Sequence, residues 1–267
     1  MTTLELPMTI LPRRRFAVLL TLSLGAGAAS AADPPAAPAR TYAIVSLIGD
    51  QFSVVSRRSD VGTRLDPNER TNLPVPDAVF DRIAAAAVEK ALLDARPGTP
   101  VLSASIRDPR LFALQDKLLE ESSESHDMRI ALHDLLAKAG ATDLILVTKQ
   151  RGEPTFNVVT GQISAGGWLS GIGFYIDNQR RMYNTEHKMG GEGFLAPYAY
   201  LTVSLLDMSS MRVVKSKPGL QTTMALPQDK QAAAHAWDAM SAKEKVDALE
   251  FVIKKAVATG MAGLPVQ

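Results

Sequence analysis

The 267 residues contain no cysteine. That single absence removes disulfides, thiolate metal ligands, a thiol nucleophile and a lipid-bearing cysteine behind a leader, so the folded chain must stand on its apolar core. A surplus of one charge sign is also missing, since 29 Lys and Arg face 28 Asp and Glu. Beyond the first fifteen residues there is no basic cluster of the kind that phosphate contacts require, which excludes nucleic acid as a partner and argues against electrostatic membrane binding. Catalytic signatures are absent too. There is no G-x-S-x-G, no Walker loop and no H-E-x-x-H, and the "GIG" at Gly171 to Gly173 lacks the third glycine and following helix of a dinucleotide fold. Four histidines stand at His126, His133, His187 and His235. The first two are seven positions apart, roughly 10 Å along a helix and too far to share one metal. The acidic residues Glu120, Glu121, Glu124 and Asp127 read as a solvated helix end. No metal, cofactor or catalytic residue is expected.

What is present begins with an export signal. Arg13, Arg14 and Arg15 precede the apolar run Phe16 to Ala29, and Ala29-Ser30-Ala31 supplies the small residues of a cleavage site. Residues 1–31 therefore read as a leader cleaved after Ala31, and the protein as periplasmic. The apolar run is too short to span a bilayer of roughly 30 Å. Losing the leader removes three arginines and one glutamate and takes the net charge from +1 to −1. Residues 32–40, "ADPPAAPAR", form a Pro/Ala-rich tether.

Residues 41–260 read as one mixed α/β domain. "TYAIVSLIGDQFSVVSRR" carries two β-branched runs around Gly49-Asp50 and predicts a β-hairpin. Residues 60–76, polar with three prolines, predict a loop. A helix follows to Ala95, with Asp77 as its cap and Val79, Ile83, Ala86 or Ala87, and Leu93 on its apolar face. Thr99 to Ile106 is a strand, Asp108-Pro109 starts a helix, and a further helix from about Asp127 stops at Gly140. "TDLILVTKQ" has the continuous apolar middle of a strand covered on both faces. Residues 155–163, 168–177, 198–207 and 211–216 read as strands, with Asp207 accepting backbone N–H groups in the turn after it. Ser241 to Glu244 is a capping box opening the last helix, whose stripe is Val246, Leu249, Val252, Ile253 and Val257. The expected fold is a helix-covered mixed β-sheet with a β-rich second half, a Gly-rich β arm at about 163–196 and a C-terminal helix.

Two passages carry a resemblance. "LLAKAGATDLILVTKQ", Leu135 to Gln150, and "AYLTVSLLDMSSMRVVKSKPG", Ala199 to Gly219, resemble the helix-glycine-strand and strand-turn-strand passages of the periplasmic anticodon-binding-like family, the type found in the curli secretion channel subunit, the penicillin-binding-protein activator lipoprotein and the TolB amino-terminal domain. The resemblance implies a helix-covered sheet that binds envelope proteins and catalyses nothing. Ser209-Ser210-Met211 replaces the tight turn usual there, and the lipid-bearing cysteine of many members is missing.

The function expected is that of an exported, non-enzymatic protein binding an envelope protein through its β-rich half. In "GGWLSGIGFYID" the residues Trp168, Ile172, Phe174 and Ile176 are placed on one strand face, with Gly171 and Gly173 leaving the other bare beside Tyr175. These seven are the candidate partner-binding residues. The alternatives are an outer-membrane-associated assembly component docking the same arm, and an enzyme or small-ligand binder with Gly171, Gly173, Tyr175 and Arg180 lining a cleft.

Overall fold

A computed structural model describes residues 40–49, 51–58, 66, 68–120, 122–158, 161–184, 189–226 and 236–266. The expected leader and nearly all of the tether lie outside these residues, as do Asp50, Glu121, His187 and His235. The fold is a mixed sheet covered by helices, with its strands concentrated in the second half and a helix at the end.

The long strand β10 (Met189–Asp207) organises the sheet. One of its edges carries β11 (Arg212–Thr222). Its other edge carries β9 (Leu169–Asn184) along its first part and β5 (Asp143–Lys149) along its last part. Both are antiparallel to β10, so they run end to end in one row. The short β6 (Arg151–Gly152) pairs with the start of β9. The next row is also split, with β1 (Tyr42–Ser46) parallel to β5 and β2 (Gln51–Ser56) parallel to β9. The outer row holds β4 (Val101–Ala104), parallel to β1, and β3 (Glu69–Pro74), antiparallel to β2.

This arrangement corrects the expected hairpin. β1 and β2 do not pair; the chain passes Gly49 and continues in the same direction, because each strand already has a parallel neighbour in the next row. The expected loop over 60–76 contains β3, a polar edge strand whose burial shows no alternation for a sequence reading to find. The strands expected to end at 177 and to begin at 198 extend to Asn184 and back to Met189 as the tip of one long hairpin. The strand expected over 155–163 is a small hairpin, β7 (Thr155–Val158) with β8 (Gly161–Ser164).

Alternation along the strands feeds three apolar clusters. Ile145 and Val147 of β5, Ile172 and Phe174 of β9, and Leu201 and Val203 of β10 face α1 (Val79–Ala95) and α5 (Ala242–Met261). On the opposite face, Leu144 and Leu146 pack with Leu111 of α2 (Pro109–Ala113), Leu118 of α3 (Gln115–Leu118), and Leu132 and Leu136 of α4 (His126–Lys138). Next to these, Tyr175, Phe194 and Tyr198 are covered by Phe156 of the β7–β8 hairpin, whose ring centroid lies 5.1 Å from Tyr175 and 5.2 Å from Phe194.

Local signals explain the helix ends. Asp108 accepts the N–H of Arg110 and Pro109 occupies the first helical position. Gly140 follows α4 at φ 84°. At α5 the Ser241 hydroxyl accepts the Glu244 N–H while the Glu244 carboxylate accepts the Ser241 N–H at 2.7 Å, a complete capping box. The α5 stripe is Leu249, Val252, Ile253, Ala256 and Val257, whereas Val246 is 53% exposed. Since α5 closes one face of the sheet, Ser241→Ala should lower stability by about 1 kcal/mol, read as a shift of the thermal midpoint with an unchanged circular dichroism spectrum.

α1 departs from expectation at two points. Asp77 does not cap it: Asp77 at φ 61° and Ala78 at φ 48° both take the left-handed conformation in a 3₁₀ turn (Pro76–Ala78) that enters the helix, and no side chain caps the first turn. Its buried face is Phe80, Ala84, Val88 and Leu92, one position away from the expected stripe. That phase also carries Asp81 inward.

Candidate functional site

The outer row of the sheet has a gap. β4 ends at Ala104 beside Val45, and β3 ends at Pro74 beside Gln51, so among the described residues nothing in that row lies next to the link between β1 and β2. A strand link without a neighbour leaves backbone N–H groups that must find acceptors elsewhere. Asp81 supplies one. Its Oδ1 accepts from the Ser46 hydroxyl at 2.7 Å, the Ile48 N–H at 2.9 Å and the Gly49 N–H at 3.3 Å. Its Oδ2 is buried and has no hydrogen-bond partner among the described residues.

The side chain sits beside a crevice of about 300 Å³. One wall is the segment from Val75 to Ala78, which runs from β3 to α1; the other is Ile106, Arg107 and Phe112, which lie between β4 and α3. These connections leave the sheet toward opposite faces, α1 toward one and α2 toward the other. A crevice between two such connections at the carboxyl ends of parallel strands is where open α/β sheets place ligands.

Both walls are held. The Asp77 carbonyl accepts from the Arg82 guanidinium. Gln115, 4% exposed, donates to the Phe112 carbonyl at 2.8 Å and accepts the Lys149 N–H at 2.8 Å, tying α2 and α3 to the end of β5. Two successive non-glycine residues in the left-handed region cost roughly 1 kcal/mol each, so the Asp77-Ala78 turn is the strained part of the rim.

Burial pushes the Asp81 carboxyl up from 3.8 to about 6, against the downward pull of the Ser46, Gly49 and Ile48 hydrogen bonds and the Lys149 charge. The desolvation of the carboxylate wins because only one of its two oxygens is compensated. A buried acid shifted toward neutrality and lining a crevice is a mark of functional sites.

The stretch expected to bind a partner lies elsewhere and is engaged by the chain itself. Ile172, Phe174, Tyr175 and Ile176 are core residues, the first three at most 1% exposed. The face expected to be bare is filled. A Cβ on Gly173 would lie 2.0 Å from the Ser53 carbonyl oxygen, and one on Gly171 would meet the Lys149 side chain at 3.0 Å. Trp168 is not on the same strand face as Ile172; it precedes β9, is half-buried, and has the Arg151 guanidinium 4.7 Å from its ring centroid. Arg70 donates to the Trp168 carbonyl at 2.6 Å and Asn68 to that of Gly166 at 3.1 Å, so β3 and the residues just before it hold this loop.

Other candidates have local duties. Asp207 accepts the Ser210 N–H at 2.9 Å and the Ser209 and Ser210 hydroxyls, and these bonds hold its carboxyl below the ordinary value. Glu124 pairs with Lys117, and His133 contacts Asp134 at 3.0 Å. Among the described residues no group of three or more His, Asp or Glu side chains is placed to hold a metal ion, and no helix is long and apolar enough to cross a membrane.

The site that sequence reading missed is Asp81. The signal is in "DAVFDRIAAAAVEKALL": shifting the helical phase by one residue gives Phe80, Ala84, Val88 and Leu92, and the aspartate then falls on the apolar face.

No family model and no curated protein matches the sequence. Among solved structures, 86% of this chain is similar to 94% of a chain of a PelC dodecamer from Paraburkholderia phytofirmans, at 12% identity and a TM-score of 0.30. A Xanthomonas campestris protein of the DUF330 family is similar over 84% of this chain and 90% of its own, at 12% identity and a TM-score of 0.29.

Proposed function

We propose that this is an exported, non-catalytic binding protein of the cell envelope, and that it takes its partner in the crevice between the ends of β3 and β4. The observation that carries the reading is the buried Oδ2 of Asp81, an acceptor without a donor beside an open crevice. Leaving such an atom unsatisfied costs about 1–3 kcal/mol, a penalty that a donor on a ligand would cancel. Binding is favoured over catalysis because the nearest hydroxyl, that of Ser46, is itself buried at 3% exposure and donates into the carboxylate. The leader read from residues 1–31 supports export. The apolar side chains of the β-rich half are taken up by its own core, which supports the crevice over that face as the recognition site.

A photo-crosslinking amino acid in place of Arg107, exposed on the crevice wall, should capture a discrete adduct in intact cells of the source organism. The same probe in place of Lys254, exposed on α5, should not. Equal capture from both positions, or none from Arg107, overturns the reading.

A further inference from the structure

We propose that the crevice recognises an ammonium group on a short apolar stem, with Asp81 as its counter-ion. This rests on the crevice being the recognition site. Oδ1 is saturated by three donors that fix the carboxylate against the link between β1 and β2, so any further donor is directed to Oδ2. Oδ2 is buried, and a neutral donor would satisfy its hydrogen bond but leave the charge offset only in part by Lys149. A cationic donor satisfies both. Asp77 and Arg107 line the same crevice as Asp81, and the charge that acts on the carboxylate is that of Lys149 at the end of β5, which burial outweighs. What the carboxylate lacks is a cation that donates a hydrogen bond to Oδ2.

Volume and lining set the rest of the ligand. About 300 Å³ is at the small end of ligand pockets and suits a single side chain or short alkylamine. Val75, Pro76, Ile106 and Phe112 offer apolar contact to methylenes. The Asp77-Ala78 turn lines the crevice beside the carboxylate, and both of its residues take the left-handed conformation. An anionic group placed at Oδ2 would meet the Asp81 carboxylate directly and is disfavoured there.

The amide signals of Ile48 and Gly49, both bonded to Asp81, report directly on occupancy in an ¹⁵N-labelled mature chain. At pH 7.5, Nα-acetyl-lysine amide should shift both signals saturably, while the uncharged Nα-acetyl-norleucine amide should not. Affinity for the lysine derivative should fall about tenfold at pH 5, where Asp81 is mostly protonated, and should be lost in Asp81→Asn. Asp77→Asn isolates the share of the other carboxylate and should keep most of the binding. n-Butylammonium distinguishes sources: equal binding identifies a free amine as sufficient, and preference for the lysine derivative identifies a peptide-borne group. Equal binding of the norleucine compound, or undiminished binding to Asp81→Asn, overturns the ammonium assignment and leaves the crevice standing. If no probe moves these amides while the Arg107 crosslink persists, the ligand class is wrong and the site is right; if both are absent, both fall.

Discussion

Asp81→Asn is expected to stabilise the protein at pH 7.5 by about 2 kcal/mol, and the gain is expected to disappear as the pH falls to 4. In the folded state burial raises the carboxyl to about 6 from 3.8, so the folded chain holds this proton more tightly than the unfolded chain. The sign follows by linkage. Stability contributed by this group is greatest below 3.8, falls as the pH rises through the window from 3.8 to about 6, and stays low above it, where both states are ionised. A shift of that size corresponds to roughly 3 kcal/mol. Asparagine keeps an acceptor for Ser46, Ile48 and Gly49 and never ionises, but it places an amide where Oδ2 stood, which returns about 1 kcal/mol. Urea unfolding of both proteins across pH 4 to 8 tests this. The difference between them should trace a titration centred between 4 and 6. A constant difference, or a destabilised Asp81→Asn at pH 7.5, would mean that the carboxylate is compensated in the folded state. Because the same substitution should abolish ammonium binding, stability and recognition are expected to move in opposite directions, as they do where a site retains an unfavourable group for function.

Gly173→Ala is expected to cost 3 kcal/mol or more, roughly the upper range for overpacking. Gly173 is paired on both sides, with Ser53 of β2 and Tyr198 of β10. An added Cβ would lie 2.0 Å from the Ser53 carbonyl oxygen and 2.8 Å from the Tyr198 hydroxyl. The first is backbone and cannot turn aside, so β2 and β9 would have to separate where they join two rows. Gly152→Ala is the contrast, since its nearest neighbour is the Tyr200 ring at 3.1 Å, which can give by a few tenths of an ångström. There about 1 kcal/mol is expected. Equal midpoints in urea for the two variants would show that β2 yields as readily as a side chain.

Signals confined to a few neighbouring residues are legible in the sequence. Asp108-Pro109, Gly140 and the Ser241 capping box stand where expected, and the apolar run of β5 is covered on both faces. The failures share a cause, which is satisfaction at a distance. Gly49-Asp50 has the chemistry of a hairpin turn, yet the N–H groups of Ile48 and Gly49 are taken by a carboxylate more than thirty positions away. β3 is an edge strand whose single partner demands no apolar pattern. In "GGWLSGIGFYID" the glycines suggest an open face; Ser53 and Lys149, remote in sequence, occupy it. The crevice is illegible for the same reason, since its walls come from two separate connections and its acid looks like one more charge on an amphipathic helix.

The split rows have a consequence for cooperativity. β5 with β1 and β4 forms a parallel block under α4, and β9 with β2 and β3 forms a second block under the β7–β8 hairpin. Among the described residues the strand that hydrogen-bonds to both blocks is β10, and the handover falls between Tyr200, paired with Gly171, and Leu201, paired with Lys149. Neither block can open there without exposing β10, and α5 lies across β10 and β11 on the other side. The amides around Tyr200 and Leu201 thus belong to both halves at once, and the protein is expected to unfold as one unit although its sheet is assembled from broken strands.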